Sequence, residues 1–150
     1  GISSSDEEAK ITLIGIQDTP GVASKIFNPL AEANVNVDMI VQNITDDGKL
    51  TSLTFTVNNS ECKRAVSTLK QSKIKFSKIH IDEMICKVSI IGVGMKSHVG
   101  VAKTMFESLA KENINIQVIS TSEIKISVLI SKDKKKQALL ALHKSYGLEK

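Results

Sequence analysis

Apolar and polar positions along this chain fall into two runs of one kind. In the first, residues 11–16, 35–43, 50–57 and 74–81 read as β-strands, with alternation plainest in Leu53, Phe55 and Val57 and in Ile74 and Phe76. Between them, 21–33 and 60–71 carry apolar residues at helical spacing, and Ser60 stands where an N-cap would. Cys62, Ala65, Val66 and Leu69 form one stripe of the second helix, while Pro29 falls inside the first and should bend it. Asp46-Asp47-Gly48 marks a hairpin turn. In the second run, strands are expected at 88–93, 114–120 and 124–130 and helices at 99–111 and 133–145, the last stopped by Gly147.

The two runs are copies. Val22, Ala23, Ile26, Phe27, Leu30 and Ala31 recur at one constant offset as Val101, Ala102, Met105, Phe106, Leu109 and Ala110. Gly21 and Gly100 share that offset, as do Asn34-Val35-Asn36-Val37 and Asn113-Ile114-Asn115-Ile116. The first unit therefore reads β-α-β-β-α-β, whereas the second runs out of chain after its last helix. An uncovered sheet edge is a liability, so the start of the chain is expected to pair beside 88–93. The expected modules are 10–84 and 85–150, the second completed by residues 1–5, with the first inserted in it.

Composition narrows the function. The 41% hydrophobic content is enough for two small packed units, and no apolar run is long enough for a membrane span. The polar start does not read as a signal peptide, and Cys62 and Cys86 lack a C-x-x-C partner; a soluble, cytoplasmic protein with two reduced, idle thiols is expected. The net charge of +4 invites a nucleic-acid reading, but aromatics make up only 3% of the residues, too few to stack bases. The lysines from Lys132 to Lys136 precede Ala138, Leu139 and Leu142 as the solvated start of an amphipathic helix. Neither nucleic acid nor membrane is an expected partner.

No catalytic residue and no metal site are expected. Gly92-Val93-Gly94 follows a strand, but Ser97 stands at the third glycine position of a dinucleotide turn. Lys96-Ser97 lacks the glycines of a P-loop, and His80, His98 and His143 lie far apart. Ser120-Thr121-Ser122-Glu123 brings no histidine base. What survives is a binding feature. Gln17-Asp18-Thr19-Pro20-Gly21-Val22-Ala23 leads a strand into a helix N-terminus, where N–H groups and the dipole favour an α-carboxylate and Asp18 could hold an ammonium. The alternative is that Asp18 caps the helix and Pro20-Gly21 only turns the chain. Asn36 and Asn115, each interrupting a strand of Val and Ile, either satisfy local backbone or reach a ligand, and Gln42 offers a donor and an acceptor to a small side chain.

These segments resemble a known family. Residues 11–21, the stretch Asn34 to Asn43 with its V-D-M-I-V-Q-N, Gly94-Met95-Lys96-Ser97-His98-Val99-Gly100 and Ile119-Ser120-Thr121-Ser122-Glu123-Ile124 look like the tandem ACT domains of bacterial aspartate kinase. The resemblance implies an α+β fold of two ferredoxin-like βαββαβ modules with antiparallel sheets. It implies the regulatory region, or a separately made regulatory β subunit, of the enzyme that phosphorylates the side-chain carboxylate of L-aspartate with ATP. Such a region has no cofactor beyond its amino-acid effector, threonine or lysine. Homodimerisation through the ACT modules and a catalytic domain or subunit as partner are implied as well. Carried over by matching positions, the effector site comprises Asp18, Gly21, Val22, Ala23 and Gln42 with Asn115 and Ile116. A second, pseudo-equivalent site comprises Val99, Gly100, Val101 and Ala102 with Asn36 and Val37. The sequence departs from strict equivalence, since the second turn is longer and has no aspartate matching Asp18. A free-standing amino-acid sensor is the alternative, and an RNA-recognition module is disfavoured because the central strands present Ile, Leu and Val rather than aromatics.

Overall fold

A computed structural model of the chain describes residues 1–92 and 98–146. The predicted turn between Gly92 and Gly100 and the helix stop at Gly147 lie wholly or partly outside the described residues. Among the described residues are eight strands and four helices: β1 Ile2–Ser5, β2 Glu8–Gln17, α1 Val22–Glu32, β3 Val37–Ile44, β4 Leu50–Asn58, α2 Cys62–Gln71, β5 Lys78–Asp82, β6 Ile85–Ile91, α3 His98–Lys111, β7 Val118–Thr121, β8 Lys125–Ser131 and α4 Lys135–Ser145. They form two antiparallel sheets of four, ordered β3-β4-β2-β5 and β1-β6-β8-β7, the α+β architecture that the repeat predicts. One compact unit is Glu7–Glu83, and the other is Gly1–Asp6 with Met84–Lys150. In the latter, β1 pairs antiparallel with β6, from Ile2 opposite Ile90 to Ser5 opposite Lys87. That is the place β5 takes beside β2 in the former.

The core of unit Glu7–Glu83 follows from alternation. Ala9, Ile11 and Leu13 of β2 and Leu53, Phe55 and Val57 of β4 point to one face of their sheet, where α1 lays Val22, Ile26 and Leu30 and α2 lays Cys62, Ala65 and Leu69. Phe27 meets Phe55 edge-on at 5.4 Å. The other unit repeats this with Cys86, Val88 and Ile90, Ile126, Val128 and Ile130, and the helix residues Met105, Leu109, Ala138 and Leu142. Each sheet also carries one cross-strand hydroxyl pair, Thr12 with Thr54 at 3.1 Å and Ser89 with Ser127 at 2.7 Å. Both cysteines are buried and free, and burial pushes both thiols above the usual range.

Several local expectations are corrected. The strand expected from 74 begins at Lys78, although Ile74 and Phe76 still pack on the core from an irregular segment. Asn58, rather than Ser60, caps the turn of 3-10 helix before α2, its side chain accepting from the Ser60 N–H at 3.0 Å. The lysine run divides between a 3-10 turn, Lys132–Lys134, and the start of α4. There Lys135 meets the Asp6 carboxylate at 3.1 Å and holds it below the ordinary carboxylate range. Asn36 and Asn115 do not interrupt strands: both are exposed, in the connections before β3 and β7.

The feature that alternation alone misses is a β-bulge in β2. Leu13 faces Leu53 and Ile16 faces Thr51, so Ile14 and Gly15 together oppose Ser52. The extra residue brings both Leu13 and Ile16 into the core, which strict period-2 alternation would forbid. Gly15 takes a φ of +76°, and a Cβ there would lie 2.1 Å from Ser77 Oγ and 2.8 Å from Ser77 Cβ. The Ser77 N–H donates to the Ile14 carbonyl at 2.7 Å and fixes that approach. Gly48 has a similar φ of +72° but open space around its Cβ position. Gly48→Ala should therefore cost about 1 kcal/mol, from backbone conformation alone. Gly15→Ala should cost about 2–4 kcal/mol, because strain and overlap act together. Denaturant melts of the two variants check this, and equal losses would refute the close packing at Gly15.

Candidate functional site

The bulge places the end of β2 so that Gln17 pairs with Leu50 and the chain then turns into α1. The Asp18 N–H donates to the Lys49 carbonyl at 3.0 Å, tying this loop to the β3–β4 hairpin. That hairpin is itself braced by Asp47, whose carboxylate accepts from the Thr45 hydroxyl at 2.6 Å and the Lys49 N–H at 3.0 Å. Those two donors hold Asp47 below the ordinary carboxylate range. Beyond Asp18, the Val22 N–H donates to the Thr19 carbonyl at 3.2 Å across Pro20 and Gly21. Proline second and a glycine at φ 86°, ψ 0° third make this a type II turn, a position that requires positive φ.

Gly21 is also the N-cap residue of α1, and no side chain caps that helix. Asp18 is therefore not a cap, which removes one of the two readings left open by its spacing. The first bond of the helix ladder runs from the Lys25 N–H to the Gly21 carbonyl at 3.1 Å, so the N–H groups of Ala23 and Ser24 precede it. No acidic residue occupies the first turn to neutralise the positive end of the dipole. Gly21, Ala23 and Ser24 are exposed, Asp18 is half-buried and Val22 is buried. The chemistry on offer is a helix end able to receive an anion, with a carboxylate, Asp18, three residues before Gly21.

The remaining predicted residues lie elsewhere. Gln42 is exposed on the edge strand β3, directly opposite Leu53, and shares that residue's face of the sheet. A second bulge, with Asp38 and Met39 opposite Thr56, sets this face; the Met39 N–H donates to Thr56 Oγ1 at 3.0 Å. Asn115 and Ile116 belong to the other unit, Asn115 exposed and Ile116 packed partly on its core. Of the pseudo-equivalent set, Val99 and Gly100 are exposed at the start of α3, while Val101 and Ala102 pack on the core. Asn36 is exposed and Val37 half-buried.

Sequence reasoning passed over the residues that shape the entry to β3 and β7. Asn34 and Asn113 are left-handed, φ 58° and 57°, and each ends its helix in the same way. The N–H groups of Val35 and Ile114 return to the carbonyls of Leu30 and Leu109 at 2.9 and 3.0 Å. Asparagine is the non-glycine residue best suited to that conformation, and its recurrence at one offset was the available signal. Arg64 of α2 donates to the carbonyls of Ala33 and Asn34 at 2.8 and 3.0 Å and pairs with Glu61, which accepts from the Asn36 N–H at 3.4 Å. In the other unit the Gln137 side chain donates to the Glu112 carbonyl at 3.2 Å.

Among the described residues no group of three or more metal-ligating side chains occurs, and no helix is long and apolar enough to cross a membrane. The ACT-domain family model matches residues 3–72 and 88–146. The chain is 51% identical to the aspartokinase of Pseudomonas aeruginosa and 49% identical to that of Helicobacter pylori, over 99% of its own length and 36% of theirs. It therefore spans about a third of the length of these relatives. Among solved structures it is similar to one described as aspartokinase alpha and beta subunits, with 44% identity, TM-score 0.89, and coverage of 98% of this chain and 97% of that one. It is also similar to the ligand-free regulatory subunit of aspartate kinase from Thermus thermophilus, with 36% identity, TM-score 0.90, and coverage of 97% of both chains. The two units, each an antiparallel sheet of four strands with two helices, thus define a tandem ACT-type regulatory fold. The chain belongs to the ACT-domain family, as the regulatory region of an aspartate kinase.

Because the Asp18 side chain neither caps α1 nor takes part in an ion pair among the described residues, Asp18→Ala should change stability by less than about 0.5 kcal/mol. Thermal melts of the variant check this, and a large loss would restore a structural role for Asp18.

Proposed function

We propose that this chain senses an amino-acid end product, threonine or lysine, and transmits feedback inhibition to the catalytic part of an aspartate kinase, which forms 4-phospho-L-aspartate from L-aspartate and ATP. The single observation that supports it most is the β2–α1 loop. A type II turn presents the uncapped N-terminus of α1, and Asp18 stands beside it with its side chain in no ion pair among the described residues. In this reading the effector carboxylate accepts from the first-turn N–H groups at Ala23, Gly21 and Val22 shape the turn beneath it, and Asp18 holds the ammonium. Gln42 reads the side chain. Asn115 and Ile116, like the second set of Val99, Gly100, Val101, Ala102, Asn36 and Val37, enter only through the resemblance.

The same reading includes a homodimer formed through the ACT modules. Each sheet leaves an edge strand, β3 or β7, with unpaired backbone groups, and each edge carries an exposed isoleucine, Ile40 at 49% and Ile119 at 46% exposure. The two isoleucines sit at equivalent positions of the repeat, opposite the buried Phe55 and Val128. The catalytic partner is carried on the same polypeptide or on a second one. The regulatory subunit of the Thermus thermophilus enzyme, matched over nearly all of its length, supports the second arrangement.

Calorimetric titration with threonine, lysine and a panel of other amino acids tests the sensing. Asp18→Ala should weaken every effector roughly tenfold to a hundredfold, the loss expected for an ionic partner worth about 1–3 kcal/mol. Gln42→Ala should instead erase discrimination between threonine and valine. Unchanged affinity in both variants would remove the site. Light scattering should give a dimer at micromolar concentration, and a monomer both with and without effector would refute that assembly.

A further inference from the structure

Unit Glu7–Glu83 has a cleft of about 670 Å³ between α1 and residues 71–75. Its walls are apolar, made by Ile16, Val22, Pro29 and Ile74, and its rim carries Lys25, Lys73 and Lys75 against a single acid, Glu32. Among the described residues none of these three lysines has an ion-pair partner. The charge is concentrated here by the sequence itself. Between Cys62 and Ile81 stand Lys63, Arg64, Lys70, Lys73, Lys75 and Lys78 and no acidic residue, more positive charge than the whole chain's net +4. Few aromatics accompany it, so stacked bases are not the complement.

We propose that this cleft is a docking groove for an acidic segment with an apolar anchor, supplied by the catalytic part of the enzyme, and that it passes the effector signal to that part. The inference rests on the regulatory reading above. The complement follows from the surface: an apolar side chain fills the floor between Ile16 and Ile74 while carboxylates meet the lysine rim. The supply of such a segment follows from length, since the matched relatives extend well beyond this region, which covers 36% of them. Transmission follows from a shared wall. Gln17, Thr19 and Val22 line the cleft, and Thr19 and Val22 close the type II turn that presents the α1 N-terminus. An effector bound at that turn acts on residues the docked segment also touches, so the two equilibria are coupled.

The experiment uses the full-length kinase containing this region, or the complex of this chain with its catalytic chain, carrying Lys25→Glu, Lys73→Glu and Lys75→Glu together. A parallel Lys→Gln triple variant and melting curves control for folding. The expected result is inhibition by threonine or lysine weakened roughly tenfold or more, with the smaller effect in the Gln variant, while the effector affinity of this chain without the catalytic part stays within about twofold of wild type by calorimetry. In wild type, inhibition should weaken as salt rises. Inhibition unchanged in the charge-reversed enzyme overturns the proposal, as does a parallel loss of effector affinity in this chain without the catalytic part, which would make the lysines part of the effector site. Saturable binding of inorganic phosphate that depends on the three lysines, with inhibition intact, overturns it too, by assigning the cleft to a small anion. If wild type binds no amino acid, the regulatory reading fails by itself. The groove then stands or falls on whether charge reversal weakens association with the catalytic part.

Discussion

The left-handed glycine near the end of β2 is the constraint on which the loop between β2 and α1 depends. One extra residue at Ile14 and Gly15 shifts the pairing with β4 so that Ile16 joins Leu13 in the core and Gln17 comes opposite Leu50. From that rung the Asp18 N–H reaches the Lys49 carbonyl, and the chain enters its type II turn at a fixed height above the sheet. No other residue type fits Gly15, because its φ is positive and the Ser77 side chain stands where a Cβ would be. Loop position is thereby set by packed β structure rather than by the loop's own few bonds.

The repeat is conserved between the units in backbone conformation more than in side-chain chemistry. Both first helices end in a left-handed asparagine, both second helices follow a 3-10 turn, and both sheets carry a hydroxyl pair across the strands next to the core. The chemistry differs where function would. Arg64 and Glu61 clamp the carbonyls at the end of α1 and the N–H of Asn36, whereas Gln137 makes one weaker contact at the end of α3. Asp18 has no counterpart in the other unit. Two copies of one scaffold thus present unlike surfaces.

Periodicity in the sequence determined the number, type and order of most elements, because core positions repeat at 2 residues in strands and at about 3.6 in helices whatever the long-range fold. The same pattern, read with the D-x-P-G turn and the aspartate-kinase-like segments, identified the loop of Asp18 and Gly21. Boundaries were less legible. Residues 74–77 have the alternation of a strand, and Ile74 and Phe76 pack on the core, but the ladder starts only at Lys78, opposite Ile14 at the bulge, and runs along the part of β2 that precedes it. Asn36 and Asn115 looked internal because their neighbours are apolar; only the helix-ending turns at Asn34 and Asn113 reveal that the chain is still outside the sheet.

Tertiary structure alone decided three things. It decided that Asp18 leaves α1 uncapped, since spacing cannot tell a cap from a residue whose N–H is drawn toward Lys49. It decided the faces of Ile16 and Gln42, because each lies beyond a bulge, and a bulge is created by a partner strand that sequence periodicity does not contain. It also gathered Lys25 from one helix and Lys73 and Lys75 from a segment far along the chain onto one apolar cleft. Local pattern fixes which residues must be buried; which exposed residues become neighbours depends on chain crossings, and those are settled only when the sheets pair and the helices pack across them.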